Sequence, residues 1–247
     1  MAVKSTDQPT ITPAPLGAKR PRPRLALSVV IPAFNERDTI RETLARLRAL
    51  DVDLELIVVD DCSTDGTREL LRDEPGLVLI EHETNQGKGA AIRSALARVT
   101  GDVVAIQDAD LEYDPQDLLR LMEPIERGEV KVVYGSRFLA GRPPMEWPNY
   151  VCNRLLAWSA NLLYGACLTD EATCYKVFEA KLLRSIPLEC RRFEFCPEVT
   201  AKVLKRGEPI AEMPISYSPR SYDSGKKIRW WDGVEALWTL LKYRFKS

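Results

Sequence analysis

Three carboxylates follow a short apolar run in the segment from Val103 to Asp114, Val-Val-Ala-Ile-Gln-Asp-Ala-Asp-Leu-Glu-Tyr-Asp. Asp108, Asp110 and Glu112 occupy alternate positions, and alternate residues of an extended chain point to one side, so their oxygens are expected to converge. Hard oxygen ligands in a small volume suit Mg²⁺ or Mn²⁺, and Mg²⁺ divides its coordination between one or two carboxylates and substrate phosphates. The chemistry these residues suit is a metal-assisted reaction at a nucleoside diphosphate. The competing reading is a solvated acidic turn in which Asp114 caps a helix opened by Pro115.

Positioning such a group requires a strand and its neighbours. Val103 to Ile106 has the β-branched content of a strand buried on both faces, and open α/β sheets bind ligands beyond the carboxyl ends of their strands. Further strands are expected at 27–31, 54–59, 77–80 and 130–134. Residues 38–50 carry Ile40, Leu44 and Leu47 on one helical stripe, and other helices are expected from Thr67, over 88–99 and from Pro115. Such alternation predicts an α/β fold with a mostly parallel sheet flanked by helices on both faces. After Tyr134 the pattern changes to a loop at 137–149, a long apolar helix at 150–168, a strand at 173–178, a helix at 197–206 and a strand at 210–215. A basic loop at 217–227 precedes a last helix at 228–245.

Composition narrows the partners. With 247 residues, 45% hydrophobic and 29% charged, the chain is globular, and a net charge of -1 argues against nucleic-acid binding. Six cysteines form no Cys-x-x-Cys pair and His82 is the sole histidine, which argues against zinc sites and histidine-based triads. Residues 1–24 are rich in Pro and Arg and have no apolar core, so a disordered tail, no secretory signal and a reducing, cytoplasmic setting with free thiols are expected. The 150–168 helix is interrupted by Asn153, Arg154 and Asn161, which fits a helix lying on a bilayer or on the domain core better than one spanning a membrane. The C-terminal helix surrounds Trp230, Trp231, Trp238 and Tyr243 with Lys226, Lys227, Arg229, Lys242, Arg244 and Lys246. That pattern suits an anionic lipid interface on the cytosolic membrane face, or a core-packing helix with a solvated basic face. The domain reading is a tail at 1–24, one catalytic domain at 25–227 and an amphipathic helix at 228–247 packed on the domain or a membrane.

Two more strand ends bear on the site. The second strand runs into Val59-Asp60-Asp61-Cys62-Ser63-Thr64-Asp65-Gly66-Thr67, where Asp61 can accept hydrogen bonds from a base N–H and Asp65-Gly66 reads as a turn before the next helix. Asn85-Gln86-Gly87-Lys88-Gly89 precedes another helix, placing backbone N–H groups and the Lys88 cation where a phosphate could sit. It lacks the spacing of a Walker loop.

Taken together, Pro-Ala-Phe-Asn-Glu at 32–36, Val-Asp-Asp-Cys-Ser-Thr-Asp-Gly-Thr, Asn-Gln-Gly-Lys-Gly, Asp-Ala-Asp-Leu-Glu and Tyr-Gly-Ser-Arg-Phe at 134–138 resemble inverting glycosyltransferase family 2, over about residues 25–245. The resemblance implies a GT-A type Rossmann-like fold and, within the family, similarity to the polyprenyl-phosphate sugar synthases. It implies that Pro32, Phe34, Glu36, Val59 and Asp61 hold the base and ribose of a nucleotide-sugar donor. Asp108 and Asp110 would bind the metal and diphosphate, and Ala109 would contact the nucleotide sugar through its backbone. Glu112 stands where such synthases often have Gln and becomes a third candidate ligand. Arg137 would meet phosphate, and Arg220 and Lys226 match a loop that closes over donor and acceptor phosphates. Phe34 replaces the usual Tyr, which keeps a stacking face and loses a hydroxyl.

The expected activity is transfer of a hexose from a GDP-mannose or UDP-glucose type donor to a polyprenyl phosphate. A phosphate monoester acceptor is already anionic near neutral pH and needs no general base. For a soluble hydroxyl acceptor, Asp170 and Glu198 are candidate bases, with N-caps or ion pairs as their structural alternative. A sugar-1-phosphate nucleotidyltransferase would want a Gly-rich loop after the first strand, which residues 32–37 lack. A non-catalytic nucleotide-sugar-binding module would show no metal-dependent release of UDP or GDP.

Overall fold

A computed structural model of the chain describes residues 25–219 and 230–246, with Trp230 described by its backbone alone. The expected tail at 1–24, Arg220, Lys226 and the junction near residue 228 lie outside the described residues. Among the described residues, seven strands form one sheet in the order β3-β2-β1-β4-β6-β5-β7. At its centre β1 (Leu27–Ala33) pairs in parallel with β2 (Leu54–Asp60) and β4 (Val103–Ile106), and β2 pairs in parallel with β3 (Val78–Glu81). Leu27, Val29, Val30 and Ile31 are fully buried because helices cover both faces, and each such side chain contributes about 1.5–3 kcal/mol by leaving water.

The second half departs from simple β-α alternation. β5 (Val132–Ser136) does not join β4; β6 (Lys176–Glu179) lies antiparallel between them, and β7 (Ile210–Pro214) extends the sheet in parallel with β5. The carboxyl ends of β1 to β5 and β7 therefore still share one edge. β6 begins three residues later than the sequence suggests. Cys174 and Tyr175 precede it and turn toward the acidic loop, where the Tyr175 hydroxyl donates to Gln107 Oε1 at 2.7 Å and the Cys174 amide to the Tyr113 hydroxyl at 3.4 Å.

The helices are α1 (Ile40–Arg48), α2 (Thr67–Arg72), α3 (Lys88–Leu96), α4 (Gln116–Glu126), α5 (Trp147–Tyr164), α6 (Ala180–Ser185), α7 (Phe195–Lys205) and α8 (Trp230–Phe245). α5 starts and stops three or four residues before the expected 150–168, because Pro148 opens its first turn and Gly165, at φ 69°, closes it in the left-handed region. α5, α7 and α8 share a second apolar cluster in which Leu156, Ala160, Ala201, Ala236, Leu240 and Tyr243 are buried. This cluster packs α8 beside the sheet edge that carries the site.

Candidate active site

The ends of β1 and β2 are tied together by their own polar side chains. Asn35 (φ 52°) and Cys62 (φ 65°) adopt left-handed conformations that bend both chains sharply as the strands end. The Thr64 amide donates to Asn35 Oδ1 at 2.8 Å, the Asn35 amide to Ser63 Oγ at 2.9 Å and the Glu36 amide to Thr67 Oγ1 at 2.9 Å. Asp65 accepts from the Thr67 amide and hydroxyl at 3.0 and 2.6 Å, so it is the turn residue the sequence suggests.

Asp61 is nearly fully buried and organises the next segment. Its Oδ1 accepts the Gln86 amide at 2.9 Å and its Oδ2 the Gly87 amide at 2.7 Å, while His82 Nδ1 lies 2.7 Å from Oδ1. The amides at the start of α3 are also spoken for: those of Gly89 and Ala90 donate at 2.9 Å to the carbonyls of Arg192 and Arg191. The amides of Gly87, Gly89 and Ala90 at the expected phosphate-facing helix N-terminus are thus docked on protein, while Asn85, Gln86, Gly87 and Lys88 line the cavity. Gly87 makes this docking possible. It sits at φ 91°, and a Cβ there would lie 2.5 Å from the Arg191 carbonyl oxygen. Gly87→Ala is expected to lower stability by about 2–4 kcal/mol in urea unfolding, from backbone strain plus overpacking; an unchanged midpoint would contradict the docking.

The acidic loop differs from its expected form. The chain stops being extended at Ile106 and bends through 109–113, so the alternation that would converge three carboxylates ends with the strand. Asp108 pairs with Lys88 Nζ at 2.5 Å, and Asp110 Oδ1 accepts the Glu112 amide at 3.2 Å. Burial works against the Lys88 charge, but the Asp108 carboxylate outweighs it and holds the ammonium well above its ordinary pKa. Among the described residues, no three His, Cys, Asp or Glu side chains are grouped closely enough to hold a metal ion. A preformed three-carboxylate cage including Glu112 is not what the fold builds. Asp108 and Asp110, both on the cavity wall, fit instead an Mg²⁺ or Mn²⁺ that takes further oxygens from a bound diphosphate.

Arg137, just past the end of β5, is buried against Asp170. Its Nε and Nη2 each donate at 2.7 Å to the two carboxylate oxygens, and its backbone amide adds a third bond at 3.0 Å. Burial opposes the guanidinium charge and Asp170 more than restores it, so its pKa stands well above normal. The guanidinium carbon lies 5.3 Å from the Tyr217 ring centroid, a cation–π distance. Burial, reinforced by the Glu112 charge, pushes the Tyr217 hydroxyl up to about 12. Asp170 is therefore the orienting partner of Arg137 rather than a base. Glu198, also fully buried, accepts the Glu189 and Cys190 amides at 2.7 and 2.6 Å and the Lys202 ammonium, the ion-pair alternative raised from sequence.

These residues surround a cavity of about 830 Å³. Pro32, Phe34, Glu36, Asp61, Lys88, Asp108, Ala109, Asp110, Glu112 and Arg137 all line it. Val59 does not: it is the last residue of the Ile57-Val58-Val59 run and is fully buried in the sheet core. Buried Thr43 holds the Ala109 carbonyl from α1 at 3.2 Å. Tyr113, Tyr217, Cys174 and Glu171 also line the cavity, though nothing in the sequence singles them out. Burial raises the Glu171 pKa, and its Oε2 has no hydrogen-bond partner among the described residues. No spacing pattern announces these four residues, because they reach the wall from three separate segments: Tyr113 after β4, Glu171 and Cys174 before β6, and Tyr217 after β7. The far wall comes from Pro148, Asn149 and Cys152 of α5 and from Asp232, Gly233 and Ala236 of α8.

A mixed, mostly parallel seven-stranded sheet with its site at the carboxyl edge defines a GT-A type glycosyltransferase fold. Among solved structures, the chain resembles glucosyl-3-phosphoglycerate synthase from Mycobacterium tuberculosis in complex with Mn²⁺, UDP and phosphoglyceric acid, at a TM-score of 0.69 and 22% identity over 90% of this chain and 80% of the other. The sequence model of glycosyl transferase family 2 matches residues 28–183, and the chain belongs to that family. It is 32% identical to a low-salt glycan biosynthesis hexosyltransferase of Haloferax volcanii over 78% of its own length but 48% of that relative's. It is 29% identical to undecaprenyl-phosphate mannosyltransferase of Micrococcus luteus, over 87% of this chain and 97% of the other.

Proposed function

We propose that the chain transfers a hexose from a nucleotide sugar to a polyprenyl phosphate at the cytosolic face of a membrane. The observation that carries this reading is a double apolar stripe beside the cavity. On α5, Trp147, Val151, Leu155, Trp158 and Leu162 follow one another at steps of four or three residues, and all are exposed. On α8, Trp231, Val234, Trp238, Leu241 and Phe245 do the same, with Trp238 63% and Phe245 79% exposed. Each helix thus has a second apolar face besides the one it buries against the domain, a pattern that water alone does not favour. Exposed Lys242 and Arg244 flank the stripe on α8, as suits anionic headgroups. The same two helices form the far wall of the cavity, so a lipid-borne phosphate would arrive next to the donor site. No helix among the described residues is long and apolar enough to cross a membrane. Contact would be through an amphipathic surface.

In this reading Pro32, Phe34, Glu36 and Asp61 seat the nucleoside and the Ala109 backbone contacts the nucleotide sugar. Asp108 and Asp110 would hold Mg²⁺ or Mn²⁺, which when bound neutralises charge developing on the departing diphosphate. Lys88 and Arg137 present fixed cations to the same region, and their carboxylate partners keep them aimed. Arg220 and Lys226, which lie outside the described residues, would meet the donor and acceptor phosphates. An anionic phosphate acceptor attacks without deprotonation, which agrees with Asp170 and Glu198 both being tied in ion pairs.

The test is turnover of a panel of nucleotide sugars with polyprenyl phosphate in liposomes against soluble hydroxyl acceptors. Transfer to the lipid is expected, and Trp158→Glu with Trp238→Glu should reduce liposome partitioning at least about tenfold while preserving nucleotide binding, since burying a charge at each position opposes insertion. Turnover confined to a soluble acceptor, with no partitioning, would remove the lipid from this account.

A further inference from the structure

Lys88 opens α3, and the backbone around it is fixed to the rest of the domain. The amides of Gly87, Gly89 and Ala90 are bonded to Asp61 Oδ2 and to the Arg192 and Arg191 carbonyls at 2.7, 2.9 and 2.9 Å. A Cβ on Gly89 would lie 2.9 Å from both the Arg192 carbonyl oxygen and Cys190 Sγ, so the first turn is pressed against the 190–192 segment. From this base the Lys88 side chain crosses to the end of β4. Its Nζ lies 2.5 Å from Asp108 Oδ1 and 3.9 Å from Cys174 Sγ, and the ion-paired side chains of Lys88 and Asp108 are only 17% and 26% exposed. A positive charge of the protein's own therefore stands on one of the two carboxylates that fit a divalent ion.

We propose that Lys88 competes with the divalent ion for Asp108, and that this competition makes the ion's binding depend on the donor diphosphate. The inference rests on the metal and nucleotide-sugar reading above. Among the described residues no group of three ligands exists, so Asp108 and Asp110 supply two carboxylates, and Lys88 already offsets one of their two negative charges. Like charges a few ångströms apart in a shielded site repel strongly, and the docked α3 turn keeps the base of the Lys88 side chain where it is. A diphosphate reverses the balance. It brings anionic oxygens for the ion and a second set of acceptors for the ammonium, which can then turn from Asp108 to phosphate. Because coupling between two ligands is reciprocal, the ion strengthens nucleotide binding by the same factor as the nucleotide strengthens ion binding. Lys88 thus guards a two-carboxylate site against an ion that arrives without a donor. A Lys88 that only held Asp108 in the orientation an ion needs would have the reverse effect, since its loss would weaken the ion's binding.

The experiment is titration of the full chain with Mn²⁺, without nucleotide and with saturating UDP or GDP, the bound ion being read from the loss of the free Mn²⁺ electron paramagnetic resonance signal. The wild type should hold Mn²⁺ at least about tenfold more tightly with nucleotide than without. Lys88→Met keeps the length of the side chain and removes its charge. It should bind Mn²⁺ alone at least about tenfold more tightly than the wild type, and nucleotide should then add no more than about threefold. Lys88→Arg keeps the charge and should behave as the wild type. Mn²⁺ alone bound no more tightly by folded Lys88→Met than by the wild type would overturn the inference; should that variant fail to fold, Lys88→Gln, a polar replacement, is held to the same result. Nucleotide bound but Mn²⁺ bound by no chain in its presence would instead remove the metal reading of Asp108 and Asp110, and absence of nucleotide binding would remove the donor reading. Either takes this inference with it.

Discussion

Replacing Asp170 with alanine is expected to lower stability by about 3–5 kcal/mol and to abolish turnover together. Arg137 is buried and places two of its guanidinium N–H groups and its backbone amide on this one carboxylate. Removing the partner of a buried cation leaves its full desolvation penalty uncompensated, which is why breaking such a pair costs more than the pair contributes. Asp170 is held in turn from β7: Glu212 accepts the Thr169 and Asp170 amides at 2.7 and 2.9 Å, so the loop cannot readily shift to hide the loss. Asp170→Asn keeps one acceptor oxygen and should lose less stability than Asp170→Ala while still misaiming Arg137. Urea unfolding midpoints for the two variants, read beside their turnover, check this. A stable, active Asp170→Ala would show that Arg137 neither needs its partner nor serves the reaction.

Asp110→Ala is expected to behave in the opposite manner, with turnover reduced at least about a thousandfold and the melting temperature moved by no more than about 3 °C. Asp110 lies in the bent segment after β4 rather than in the core, and its side chain accepts the Glu112 amide two residues on. Its removal should therefore spare packing and strike at the chemistry, since in the proposed reading it and Asp108 would share a divalent ion with the donor diphosphate. Donor binding measured with and without Mn²⁺ separates the cases: in Asp110→Ala the metal should no longer strengthen UDP binding. Retained metal-dependent turnover would exclude Asp110 as a ligand.

Much of this site is legible in the amino-acid sequence. The β-branched runs at 27–31, 54–59 and 103–106 are strands, and the polar residues that follow each run meet on one edge because parallel strands bring equivalent ends together. The turn at Asp65-Gly66 is readable from side-chain chemistry alone, since Asp and Gly satisfy and permit that local geometry by themselves. A local rule stops working where its element ends. Alternation holds through β4 but not through the bent loop beyond it, so Glu112 does not join Asp108 and Asp110 in one cage. The amides of Gly87, Gly89 and Ala90 at the start of α3 are not offered to phosphate, because Asp61 and the distant carbonyls of Arg192 and Arg191 occupy them.

His82 marks the same boundary. As the sole histidine it carries no motif, and its link to Asp61 spans 21 residues and two strands. The insertion of β6 between β4 and β5, the packing of α5 beside α8 and the pairing of Arg137 with Asp170 likewise depend on contacts far apart in the chain. The sequence by itself determined which segments are strands and helices and that Asp61, Lys88, Asp108, Asp110 and Arg137 end up on the site edge, though not Glu171, because hydrophobic periodicity and turn chemistry act over a few residues. Tertiary structure alone decided which of those groups are already bonded to the protein and which remain for a ligand, because hydrogen-bond capacity is divided among whatever partners folding brings within about 3 Å.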